Sequence, residues 1–422
     1  MPETTISSSN SVPSDSSAIR QETSGSYRPA MAMVITLFFV WGFLTVFNDI
    51  LIPHLKAIFA LSYTGVMLVQ FSFFIAYFLI ALPSSKLINL VGYKMSMIIG
   101  LLTMGLGALL FVPAASFPSY PLFLAALFIL ASGMTILQVS SNPYIAALGP
   151  PEGASSRLTL AQAFNSLGTT LAPLVGGALV LTAAGASRSA SSIKFPYMVF
   201  SGILFLLAAG VWLFRLPALS AIDDVAAAGE ASNLHRSAWH VRHLVLGAGA
   251  IFLYCGAEVS IGSFLISFLM QPHIGGLTEH SAAHYLSYYW TGAMIGRFAG
   301  AGILSKTSSN KALAACAFAA SALVVSTIAS TGHVAMWTII LVGLFNSIMF
   351  PTIFALAIKE LGPLTSQGSG ILIMAILGAA VIPVIQGALA DHIGIHRAFV
   401  LPAVCYLYVA FYGLKGYQPR NA

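Results

Sequence analysis

The sequence is short of charge. Asp, Glu, Lys and Arg make up 7% of its 422 residues, where a soluble globular domain carries about 25%. An ordinary water-soluble fold is therefore excluded. Three cysteines, Cys255, Cys316 and Cys405, all fall inside apolar runs. They show neither metal-ligand spacing nor a paired framework, and read as small buried hydrophobes. The ten histidines form no HExxH pattern, none pairs with a cysteine nucleophile, and no Walker-type loop occurs. Without a convergent catalytic set, the chain is expected not to be an enzyme and to need no cofactor or metal. The net charge of +6 is spread through short loops and forms no basic patch for nucleic acid. No charged stretch leads straight into an apolar core at residue 1, so no cleaved signal peptide is expected.

What the sequence has is apolar length. Hydrophobic residues make up 58% of the chain, and its mean hydropathy is +0.89. Helical runs of ~20 apolar residues cross a hydrocarbon core of ~30 Å, so an all-α polytopic membrane protein is expected. Residues 1–28, with nine serines and no apolar periodicity, read as a disordered cytoplasmic tail. Twelve apolar segments follow: 31–55, 63–90, 93–114, 119–148, 156–184, 195–216, 241–270, 282–305, 310–330, 334–361, 366–392 and 395–415. A polar linker at 217–240, with Asp223, Asp224, Glu230, His235 and Arg236, splits them into bundles of six at 29–216 and 241–416. With the N-terminus placed inside, 14 of the Lys and Arg residues lie on that side, and only Lys56, Arg188, Lys194 and Arg397 lie opposite. The positive-inside rule then puts both termini and the linker in the cytoplasm.

The two sets of six echo each other. "ILQVSSNPYIAAL" in segment 4 aligns with "LFNSIMFPTIFAL" in segment 10, placing Pro143 against Pro351 and Gln138 against Asn346. "TTLAPLVGGAL" in segment 5 aligns with "GAAVIPVIQGAL" in segment 11 through Pro173 and Pro383. Repeats of this kind place a substrate between the halves, near the membrane midplane. After segment 2 comes "SKLINLVGYK" and after segment 8 "GILSKTSSNK". Both resemble the loop motif G-x-L-x-D-R-x-G-R-K of the major facilitator superfamily, which makes Asn89, Gly92 and Lys94 the candidate gating-loop residues. Asn89 stands where the motif carries Asp, which removes the motif's usual gating salt bridge.

Polar groups inside the apolar segments are few. A charge at the bilayer centre costs ~2.5–3.5 kcal/mol on insertion scales and so marks a candidate site. Asp49 and Asn48 lie in "FFVWGFLTVFNDILIP" and share a helical stripe with Trp41 and Thr45. Glu258 lies in segment 7, where Gly256 and Gly262 would permit a break in the helix. Arg297 lies in "GAMIGRFAG", near a segment end, and reads as structural. Gln138, Ser141 and Asn142 share one face of segment 4, and Gln162, Asn165 and Thr169 one face of segment 5. Amides donate and accept without charge, which suits the hydroxyls of a pyranose. Trp290, beside Tyr288 and Tyr289, offers a ring for stacking.

Together "WGFLTVFNDILIP", "QVSSNPYIAALGP", "RLTLAQAFNSLG", "YCGAEVSIGSFLI" and "MFPTIFALAIKELG" resemble the fucose–galactose–glucose:proton symporter family of that superfamily. The resemblance implies twelve transmembrane helices in two six-helix bundles, the major facilitator fold. It also implies cation-coupled uptake of a hexose, with proton or sodium as the co-transported ion, in a bacterial inner membrane. Asp49 would match the family's helix-1 aspartate, the coupling residue, and Asn165 its helix-5 sugar-site asparagine. The implied substrate-binding set is Asn48, Gln138, Asn142, Gln162, Asn165, Glu258, Trp290 and Asn346. Gln138 stands where fucose–proton symporters carry glutamate, which points to the glucose/galactose branch. The partners expected are a small sugar and membrane lipid, with no nucleic acid, and a monomer would suffice. The alternative is a drug–proton antiporter, suggested by "GTTLAPLVGG" in segment 5.

Overall fold

The structure, a computed structural model, describes residues 27–45, 59, 63–117, 119–184, 194–217 and 237–419. Asn48 and Asp49 lie outside these residues. Among the described residues the ordered elements are helices. They are α1 (Tyr27–Thr45), α2 (Tyr63–Ser116), α3 (Tyr120–Ala147), α4 (Ala154–Ala184), α5 (Lys194–Leu213), α6 (Arg242–Leu269) and α7 (Glu279–Leu304). After these come α8 (Ser309–Ala329), α9 (Gly332–Asn346), α10 (Met349–Ala357), α11 (Thr365–Met374), α12 (Gly378–Ile393), α13 (Ile395–Ala398) and α14 (Val400–Phe411).

Nine described helical stretches are long and apolar enough to cross a membrane. The expected twelve are nonetheless accounted for. Segments 2 and 3 are fused into α2, and α4 and α7 are long helices whose polar residues lower their hydropathy. The fusion in α2 is only apparent, because Gly92 inside it has φ 78° and ψ 170°, far from helical values. A side chain strains that backbone, and glycine does not. The glycine of the loop motif is thus the hinge at which the chain reverses. At the same end Lys94 donates to the Trp212 carbonyl (2.8 Å), Tyr144 to the Pro217 carbonyl (3.0 Å), and His243 pairs with the Lys359 carbonyl (3.0 Å). This end of the molecule is called the Gly92 end below.

Segment 7 does not break. α6 runs unbroken for 28 residues, contrary to the expectation from Gly256 and Gly262. Gly256 serves close packing instead: a Cβ there would collide with Ile382, and Gly262 faces Trp290. The interruptions fall in segments 10 and 11. Between α9 and α10 the chain passes through Ser347 and Ile348, and a tight turn at Ala375–Leu377 separates α11 from α12.

Contacts between residues before 217 and residues after 237 run along two seams. α11 packs on α2 and α3, and α4 packs on α7. On the first seam the Ser366 hydroxyl bonds to Asn89 Oδ1, and Ser369 donates to the Val139 carbonyl (2.8 Å). On the second, Ser156 donates to the Ala301 carbonyl (2.6 Å), and Phe164 meets Phe298 edge-on. Thr170 reaches Met294 Sδ (3.4 Å). As residue numbers rise on α4 they fall on α7, so the two helices are antiparallel. Most of these contacts lie towards the Gly92 end, which is therefore sealed.

Candidate functional site

On the first half, Gln138 of α3 is 2% exposed. Its Nε2 donates to the Tyr77 hydroxyl of α2 at 2.5 Å, and the Trp41 side chain of α1 meets the same hydroxyl. Three helices are thus tied by one uncharged node. On the second half, Asn346 of α9 is fully buried, and its Nδ2 donates to the Tyr289 hydroxyl of α7 at 2.8 Å. Its backbone carbonyl accepts from Tyr254 of α6 (3.1 Å). Gln138 and Asn346 are the residues that the internal repeat aligns, and each amide donates to a phenol. In both halves the donor comes from the fourth segment and the phenol from the second. The repeat is therefore carried by chemistry as well as by helix order.

Asn165 and Gln162 lie on α4. Asn165 Nδ2 donates to the Phe38 carbonyl (2.9 Å), and α1 approaches so closely that a Cβ at Gly42 would collide with the Asn165 carbonyl. Asn165 thus holds the helix that leads to Asp49. Gln162 is 7% exposed. Asn142 is fully buried and both its amide atoms lack a hydrogen-bonding partner, a cost of about 1–3 kcal/mol per orphaned group. Two hydroxyls on the expected polar stripes are engaged by their own helices. Ser141 bonds to the Leu137 carbonyl (2.6 Å) and Thr169 to the Ser166 carbonyl (2.7 Å), a local alternative open to short hydroxyl side chains.

Glu258 of α6 is not isolated. Its Oε1 lies 3.7 Å from Arg297 Nη2 of α7, with the two side chains 14% and 16% exposed. Arg297 Nη1 donates to the Ser166 hydroxyl of α4, across the second seam. The reading of Arg297 as a structural residue at a helix end missed this three-helix meeting. Ser166 and Tyr77 were also missed. Ser166 lies four after Gln162 on one helical face, the spacing that could have pointed to it.

Of Tyr288, Tyr289 and Trp290 on α7, Trp290 is 42% exposed. It stands edge-on to Tyr289, with ring centroids 5.1 Å apart. Tyr289 is buried beneath Asn346, and Tyr288 stacks on Trp337 instead. Of the residues expected to form a gating loop, Asn89 bonds to Ser366, Gly92 forms the hinge and Lys94 caps the Trp212 carbonyl.

The sequence profile of the Major Facilitator Superfamily matches residues 32–377. The chain belongs to that superfamily. A glucose/galactose transporter of Brucella abortus is 52% identical over 403 residues, covering 94% of this chain and 97% of the relative. The L-fucose-proton symporter of Escherichia coli is 35% identical over 91% of this chain and 92% of that one. A crystal structure of the E. coli fucose:proton symporter superposes with a TM-score of 0.82 at 33% identity, covering 92% of this chain and 98% of that one. The major facilitator fold, integral to a membrane, is thereby shown, and membership carries the twelve-helix plan.

Proposed function

We propose that the protein is a cation-coupled sugar symporter that imports a hexose of the glucose/galactose type by alternating access. The observation that carries this reading is the matched pair of uncharged amide–phenol nodes, Gln138–Tyr77 and Asn346–Tyr289, one in each half of a major facilitator fold. The names of the relatives point the same way. Asn48, Gln138, Asn142, Gln162, Asn165, Trp290 and Asn346 supply donors, acceptors and an aromatic face of the kind a pyranose uses. Glu258 and Arg297 add one carboxylate and one guanidinium on the second half.

The units are residues 29–216 and 241–416, joined by the linker at 217–240. The Gly92 end is cytoplasmic, by the distribution of Lys and Arg, and the membrane is a bacterial inner membrane. Asn89–Ser366, Ser369–Val139 and Ser156–Ala301 seal that end, so in the described state sugar does not enter from it. Asp49 is the coupling residue: a carboxylate in a membrane helix is tolerated when a bound cation or proton neutralises it. The proton is the favoured ion because a relative named a proton symporter is 35% identical. A monomer suffices, since both halves of the site come from one chain.

The test is uptake of labelled glucose, galactose and fucose into proteoliposomes under a proton or a sodium gradient. Asp49→Asn is measured beside the parent. The expected result is accumulation of one sugar under one ion, with Asp49→Asn losing accumulation but keeping sugar exchange. No movement of any sugar under either gradient would sink the reading.

A further inference from the structure

We propose that Arg297 is a latch between the two halves, and that Glu258 is its holder rather than the seat of the coupled cation. This rests on the transport reading above.

Arg297 has partners on both sides of the second seam. Its Nη1 donates to Ser166 of α4, and its Nη2 lies 3.7 Å from Glu258 of α6. Neither contact uses the whole group. Arg297 Nε and Glu258 Oε1 are both buried without a hydrogen-bonding partner. At 3.7 Å the Nη2–Oε1 contact is longer than a hydrogen bond, so the pair attracts by charge alone, with an idle donor and an idle acceptor and neither bond of a fork formed. A guanidinium and a carboxylate pair most strongly when two parallel bonds form. In the sealed state the guanidinium is held off that arrangement by the pull of Ser166.

Opening of the seam at the Gly92 end carries Ser166 away with α4. α6 and α7 pack on each other, so Glu258 stays beside Arg297. The idle donor and acceptor then close into a forked pair. The buried cation keeps a partner in both states, and only a hydroxyl bond is given up. Without Glu258, opening would leave a bare guanidinium at the centre of the protein, which low-polarity surroundings penalise heavily. The other groups facing Glu258 are Tyr254 and Cys255 on its own helix, Tyr406 of α14, and Tyr289 of α7, whose hydroxyl donates to the Glu258 backbone carbonyl (3.3 Å). Arg297 alone among them carries a charge to balance the carboxylate. With that balance built in, Glu258 needs no transported ion, and Asp49 is left as the single coupling acid.

The experiment uses the full-length protein in vesicles, with a cysteine reporter at Thr159. Thr159 is fully buried on α4, facing Gly300 of α7, and its hydroxyl has no partner. Thr159→Cys is therefore a mild change. Labelling by a membrane-impermeant maleimide from the Gly92 side, read above the parent's own background, reports opening of the seam and requires no sugar. Ser166→Ala is expected to raise the labelling rate by roughly tenfold, the weight of one hydrogen bond to a charged donor. Ser166→Thr, which keeps the hydroxyl, is expected to restore it.

Glu258→Gln is expected to lower labelling and to slow initial sugar uptake by about tenfold. The steady-state accumulation ratio is expected to stay at the parent value. Glu258→Gln combined with Arg297→Gln, which removes the charge needing a holder, is expected to recover labelling. Two results would overturn the proposal: labelling unchanged in Ser166→Ala, or an accumulation ratio collapsed in Glu258→Gln as a coupling residue would give. Failure of the transport reading would show instead as no accumulation by the parent, with the labelling arms still decisive.

Discussion

At the scale of single residues, one uncharged amide in each half of the site has a fixed phenol. Gln138 donates to Tyr77, and Asn346 to Tyr289. Removing a phenol hydroxyl leaves a buried amide donor without its acceptor, which costs about 1–3 kcal/mol. Tyr289→Phe is therefore expected to lower the melting temperature in detergent by several degrees and to weaken sugar affinity. Tyr77→Phe is expected to do the same from the other half. Equal binding and stability in both variants would show that the nodes are incidental. Asn165→Ala removes the amide that holds α1 at the Phe38 carbonyl. It is expected to reduce coupling as well as binding, because α1 leads into Asp49. A measured accumulation ratio that matches the parent's would refute that connection.

At the scale of the element, helix ends and breaks are set by a few side chains. Arg157, at the start of α4, closes off the last turn of α3. It donates to the carbonyls of Ile145 (3.2 Å), Ala146 and Pro150 (2.9 Å). The last carbonyls of a helix have no partner within it, and a cation there also meets the negative end of the helix dipole. Arg157→Ala is expected to destabilise the protein by about 2 kcal/mol, read as earlier thermal unfolding. Arg157→Lys is expected to recover only part of this, since an ammonium cannot reach as many carbonyls as a five-donor fork. Gly92→Ala forces a side chain into a backbone at φ 78° and ψ 170°, a region essentially reserved for glycine, at about 1–3 kcal/mol.

The hinge at Gly92 was legible in the sequence because its motif fixes a glycine at a chain reversal. The helices were legible because apolar length is a property of each segment alone. The unbroken α6 was not, because glycine reads alike whether it loosens a helix or lets a neighbour approach. Gly256 does the second. Nor was the meeting of Glu258, Arg297 and Ser166 legible. Each is a lone polar residue on its own helix, and only tertiary packing of α4, α6 and α7 makes them neighbours.

At the scale of the whole molecule, the sealed end is held by neutral groups where the superfamily's loop motif would supply a charge. Asn89 accepts a hydrogen bond from Ser366, which lies in the first turn of α11 (Thr365–Met374). The first turn of a helix carries unpaired N–H groups and the positive end of its dipole, and favours an anion. An amide uses little of that field. Asn89→Asp places a carboxylate there, which would accept from the same hydroxyl with roughly twice the strength of a neutral bond. The dipole adds typically 0.3–1 kcal/mol more. The seal is reached from one state and left in the other, so strengthening it stabilises the closed Gly92 end without touching the sugar site. Asn89→Asp is therefore expected to slow turnover and to sharpen apparent affinity for sugar added from the opposite side. The accumulation ratio stays fixed, because the coupled ion and sugar are unchanged. Ser366→Ala in the same background is expected to reverse part of the effect, since the carboxylate loses its hydroxyl but keeps the helix end. If Asn89→Asp turns over as fast as the parent, the first seam does not limit the cycle. The rate would then be set at the second seam, between α4 and α7.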